Sequence, residues 1–150
     1  MYNRKEKKLI KDFIESINPE LKTYYQDVFE CDVYEDEIYL GKKEYTYETE
    51  MFMNWFKKEF PLCQECHWWL ISLLHEIGHI ETYEEEMHDN REMSYAILKM
   101  AFECGDHTIE EMNIAYFQIP SEYEATYWGA SYYLSNIDKC NTLLSQLNVK

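Results

Sequence analysis

Trp68-Trp69-Leu70-Ile71-Ser72-Leu73-Leu74-His75-Glu76-Ile77-Gly78-His79-Ile80-Glu81 is the stretch on which the reading of this chain turns. Leu70, Leu73, Leu74, Ile77 and Ile80 recur at helical spacing and predict a helix with an apolar face. Within it, His75-Glu76-Ile77-Gly78-His79 has the pattern HExxH. Residues four apart share one helix face, so both imidazoles can reach a single point. Two neutral imidazoles leave a zinc ion room for a third protein ligand and a water. Glu76 lies next to that position and can take a proton as water attacks. Gly78 costs roughly 1 kcal/mol against alanine in a helix interior, which points to another element or a substrate packing close there.

The rest of the composition suits a single folded domain over residues 1–150. Hydrophobic residues at 46% and aromatics at 17% argue against disorder despite a net charge of -15. Such acidity disfavours nucleic acid and anionic membrane as partners and favours a basic one. No apolar run approaches the roughly 18 residues that span a bilayer. The opening MYNRKEKKLIKDF is basic but has no apolar stretch of the kind that directs export, so a cytoplasmic location is expected.

The cysteines, Cys31, Cys63, Cys66, Cys104 and Cys140, are odd in number, which fits thiols better than a disulfide framework. Cys63-Gln-Glu-Cys66-His67 spells CxxCH, a haem-attachment spacing, but it abuts the HExxH helix and that attachment would require export. A second zinc held by Cys63 and Cys66 with Cys104 or His107 is an alternative. Two plain thiols at a helix entrance after Pro61 is the simpler reading.

Leu9, Ile10, Phe13, Ile14 and Ile17 predict a helix over 5–17, which Asn18-Pro19 ends before a second helix reaching about Tyr25. Val28 to Val33 and Ile38 to Leu40 read as an antiparallel hairpin around the acidic turn 34–37, with a third strand near Tyr45 to Tyr47. Further helices are predicted over 49–60, 92–104 and 138–147, with Glu84-Glu85-Glu86 as a solvated run. Thr108 with Glu111 has capping-box spacing, and so has Ser121 with Glu124, which would open a helix to about Leu134. The fold class expected is therefore α+β: mostly helical, with a short antiparallel sheet packed near the HExxH helix.

A zinc site of this kind needs a third ligand. Glu122, anionic and at a helix start, is the best candidate; His88, His107 and Glu124 are the others. Tyr83, Tyr95, Tyr123, Tyr127, His88 and His107 are candidate donors for a tetrahedral oxyanion.

HEIGH followed by Glu122-Tyr123-Glu124-Ala125-Thr126-Tyr127-Trp128-Gly129 resembles the ImmA/IrrE metallopeptidases of bacteria, phages and mobile elements. In that family a helix with HExxH is followed by an ExxA(N/D)xFA segment whose first glutamate completes the zinc site. The resemblance covers roughly residues 68–135 and implies His75, His79 and Glu122 as zinc ligands and Glu76 as catalytic base. More broadly the pattern is similar to thermolysin-like, glutamate-ligand zincins. Thr126 stands where the family usually has Asn or Asp, so the supporting bond to a ligand imidazole is expected to be weak or absent. Trp128 and Gly129 replace Phe and Ala, Ser135 stands where the family often ends in proline, and the distance from His79 to Glu122 leaves room for an extra helix. The DNA-binding module that family members often carry is not expected in so short and acidic a chain.

The function these readings imply is zinc-dependent endopeptidase cleavage of an intracellular protein, such as a basic regulator from a phage or mobile element. The substrate is expected to lie as an added strand along the edge 37–41. Two other readings compete with it. One is an acidic binding or inhibitor protein on a zincin scaffold, which engages a basic partner without proteolysis. The other is a structural zinc domain closed by a fourth protein ligand.

Overall fold

The apolar helix of the HExxH stretch forms as α3 (Trp68–Glu81), with Leu70, Ile71, Leu73, Leu74 and Ile77 fully buried. His67 caps it: its Nδ1 accepts the Trp69 amide at 3.2 Å, so the histidine of the CxxCH run serves the helix start. The structure, a computed structural model, describes residues 1–105 and 107–149. In chain order the elements are α1 (Arg4–Ile17), β1 (Lys22–Tyr25), β2 (Glu30–Asp32), β3 (Glu37–Leu40), α2 (Tyr47–Glu59), a 3-10 turn (Pro61–Cys63) and α3. Then come α4 (Glu85–Cys104), α5 (Ile109–Phe117), α6 (Pro120–Ser135) and α7 (Ile137–Gln146). The architecture is α+β and mostly helical, with a small sheet against α3.

The hairpin is as expected: β2 pairs antiparallel with β3, Cys31 opposite Ile38. Asp32 Oδ1 accepts the amides of Tyr34 and Glu35, and Asp36 takes the left-handed conformation (φ 54°) that Asp tolerates better than most residues. The third strand differs from the expectation. It is Lys22–Tyr25, read above as helix, and it pairs parallel with β3, so the sheet is mixed with order β1-β3-β2. Lys-Thr-Tyr-Tyr is β-prone, and parallel pairing with Glu37–Leu40 outweighs any continuation of the helix past Pro19. Tyr45 to Tyr47, expected as strand, instead enters α2, where Thr46 Oγ1 accepts the Thr49 amide at 3.2 Å.

Two helix starts also differ. α4 begins at Glu85 rather than Glu92, so the acidic run is its cap and first turn, where carboxylates meet the positive end of the helix dipole. α6 begins at Pro120, a favourable first position, two residues ahead of the start expected after a Ser121 cap. Ser121 is therefore no cap: its buried hydroxyl has no hydrogen-bond partner, and the capping box with Glu124 does not form. The box of Thr108 with Glu111 does form.

α3 and α6 pack antiparallel at unusually short range, and this pairing positions the site. A Cβ on Gly78 would stand 2.3 Å from the Ala125 carbonyl oxygen, and one on Gly129 would stand 3.2 Å from Leu74. Glycine at these two positions lets the backbones meet. The same register brings Glu122 to His79 and Thr126 to His75. Among the described residues no helix is long and apolar enough to cross a membrane.

Candidate metal centre

α3 presents His75, Glu76 and His79 toward a cavity of about 480 Å³, walled on the far side by Phe29 to Tyr34 of the β2 segment. α6 supplies Glu122, whose carboxylate is almost fully buried. Glu122 Oε2 lies 3.0 Å from His75 Nε2 and 3.2 Å from His79 Nε2, and the two Nε2 atoms are 3.1 Å apart.

The hydrogen-bond network fixes what His75 offers. Thr126 donates its one hydroxyl proton to the Glu122 carbonyl at 3.0 Å. Its oxygen must then accept from His75 Nδ1, which lies 2.9 Å away. In neutral His75 that leaves Nε2 a bare lone pair, facing a second imidazole nitrogen and a carboxylate oxygen. With the His79 proton on Nδ1, its Nε2 adds a further lone pair at the same point, and a cation there would satisfy all three atoms. His75, His79 and Glu122 together could hold a metal ion, and no fourth His, Cys, Asp or Glu joins them among the described residues. Thr126 thus makes the supporting bond that its difference from Asn or Asp was expected to weaken.

The electrostatics agree. Burial pushes the Glu122 carboxyl up, but hydrogen bonds and charge from His75 and His79 outweigh it and hold the group well below the usual carboxylate range. Burial pushes His75 down, and Glu122 more than reverses that. A cation of either kind, proton or metal, is favoured at this point.

Two residues outside the sequence reading orient Glu122. Arg91 of α4 donates from Nε to Oε1 at 2.6 Å, and Tyr116 of α5 donates to the same oxygen at 3.0 Å. Arg91 also donates to the Tyr116 hydroxyl at 3.1 Å. With Oε1 occupied, Oε2 is left to the imidazoles. Burial and the Glu122 charge push the Tyr116 hydroxyl up, so it stays a donor at neutral pH. Cys31 lines the same cavity as Glu76; burial and the Glu76 negative charge push its pKa up, so it is a thiol there.

The other candidates lie elsewhere. Glu124 is exposed, and His107 pairs with Glu111 at 3.7 Å on the surface. His88 lines the cavity wall with Arg91 and Tyr116 but is not in the metal-ligating group. Of the tyrosines proposed as oxyanion donors, Tyr123 donates to Glu59, Tyr127 is exposed, Tyr95 packs against Tyr116, and Tyr83 packs against His88. Cys63, Cys66 and Cys140 are buried thiols around Tyr133, whereas Cys104 is exposed on α4, so the cysteine–histidine group considered for a second zinc is not assembled among the described residues.

No protein-family model matches the chain, and no curated protein or solved structure matches it.

Proposed function

We propose that this chain is a zinc-dependent endopeptidase of the kind the ImmA/IrrE resemblance implies, acting on a protein or peptide substrate with a basic surface. The observation that carries the reading is the convergence of His75, His79 and Glu122 beside Glu76 in a cavity open along a sheet edge. Donors about 2.0–2.1 Å from a tetrahedral zinc stand about 3.3 Å apart. The three separations of 3.0–3.2 Å are close to that.

Bound zinc would supply a Lewis acid for the scissile carbonyl and would lower the pKa of water toward about 7. Glu76 takes the proton from the attacking water as its oxygen adds to the amide carbon. It then delivers that proton to the nitrogen as the carbon–nitrogen bond breaks. The Cys31 thiol faces the same cavity as Glu76 and stays protonated beside it. Tyr116 and Arg91 fix Glu122; the further guanidinium N–H groups of Arg91, and His88, line the cavity and are available to the developing oxyanion.

The substrate path differs from the sequence expectation. β3, with the edge 37–41, is the central strand, bonded to β1 on one side and β2 on the other. β2 (Glu30–Asp32) has its second edge unpaired and borders the cavity, so it is the strand to which an extended peptide adds.

The test is hydrolysis of a denatured basic protein. Activity should require zinc, disappear with chelator and return when zinc is restored. Unchanged cleavage in chelator, or none with zinc bound, would overturn the reading. The network adds a sharper expectation. Thr126→Val keeps shape at a buried site but removes the acceptor for His75, and should weaken zinc binding about 10–100-fold. Competition against a chromogenic chelator measures it.

A further inference from the structure

His75, Glu76, Tyr116 and Glu122 line two cavities, which adjoin at the candidate metal centre. The second cavity, of about 380 Å³, has aromatic walls from Phe52, Trp68 and Phe117. Glu44 and Glu48, both exposed, line the same cavity from the segment before α2 and from its first turn. Its one lysine, Lys42, is already paired with Asp27 at 3.0 Å. Glu44 and Glu48 have no ion pair among the described residues. Lys42 also feels the Glu44 charge, but the carboxylates in the lining outnumber it, so the cavity combines apolar ring surface with net negative charge, directly beside Glu76.

That combination matches one class of side chain. Arginine and lysine have an apolar stem ending in a cation. The stem can lie on the rings, whose faces also attract the cation, and the head can reach the carboxylates. A leucine would cover the rings but leave the carboxylates without a partner, and an acidic side chain would be repelled.

We propose that this cavity is the specificity pocket of the site and takes an arginine or lysine side chain adjacent to the peptide bond presented to Glu76. The inference rests on the peptidase reading for its biological sense, but its test is binding. The probes are blocked heptapeptides of alanine with arginine, lysine, leucine or glutamate at the centre, titrated into zinc-loaded Glu76→Gln protein so that none is turned over. The arginine and lysine peptides should bind roughly tenfold more tightly than the leucine peptide. That ratio should fall close to one in Glu44→Gln/Glu48→Gln. It should persist in Glu20→Gln/Glu103→Gln, which removes the same charge from exposed positions outside the cavity. A ratio near one at the start, or equal loss in both double variants, would overturn the proposal and show only general attraction to an acidic protein. Cleavage by the unsubstituted protein is scored separately. If it cleaves none of the peptides while the binding ratio behaves as stated, the hydrolase reading fails and the basic-side-chain pocket stands.

Discussion

Replacing Glu76 with glutamine is expected to lower peptide hydrolysis by about 10²–10⁴-fold while leaving zinc content and fold unchanged. The side chain is outside the ligand group, so losing its charge removes no metal–protein bond. Glutamine has nearly the same volume and keeps a hydrogen-bonding carbonyl oxygen in the cavity. What it cannot do is take a proton from water. Turnover at matched zinc occupancy, with circular dichroism to check the fold, measures the effect. Retention of most of the activity would remove Glu76 from the chemistry. A cellular effect that survives this substitution undiminished would favour the acidic binding-protein reading over the protease.

Gly78→Ala is expected to destabilise the fold by about 2 kcal/mol or more, against the sign of helix propensity. Alanine would gain roughly 1 kcal/mol in an isolated helix. Here its Cβ would stand 2.3 Å from the Ala125 carbonyl oxygen and 2.9 Å from two further backbone atoms. Backbone on a buried helix cannot swing aside as a flexible side chain can, so α3 and α6 must separate. Overpacking of a core typically costs about 1–3 kcal/mol and more when backbone must move. The same separation would draw Glu122 away from the imidazoles, so zinc affinity should fall with stability. Gly129→Ala, whose nearest contacts are at 3.2 Å, should do less. Urea unfolding of the apoprotein, with zinc affinity measured in parallel, checks both effects. An alanine variant as stable as the parent would mean the helices do not meet as closely as described.

The histidine half of the candidate site is legible in the sequence because its information is local. His75 and His79 are one helical turn apart, and the apolar residues around them specify that helix. Glu122 was legible through its motif, although the helix carrying it starts at Pro120 rather than after a Ser121 cap. Proline at the first helical position satisfied the start that a capping serine was expected to supply. Arg91 and Tyr116 were not legible. Their bonds to Glu122 cross 31 and 6 residues, through helices whose packing no periodicity encodes, and the start of α4 had been read as a solvated acidic run. Cys31 gave no signal beyond its residue type, because its proximity to Glu76 depends on how the sheet packs against α3. The strand β1 is hidden for a related reason: four residues, though β-prone, are too short to outweigh helix signals locally and are committed by a parallel partner about 15 residues further along the chain.

Zinc titration of the chelator-stripped protein tests the central claim most directly, applied to the parent and to Glu122→Gln and Glu124→Gln side by side. Glu122 is buried against both imidazoles, whereas Glu124, two residues on, is exposed. The account predicts one tight zinc per chain in the parent, sharply weakened binding in Glu122→Gln, and parent-like binding in Glu124→Gln. A parent that binds no zinc, or a pair of variants with these behaviours exchanged, would contradict it.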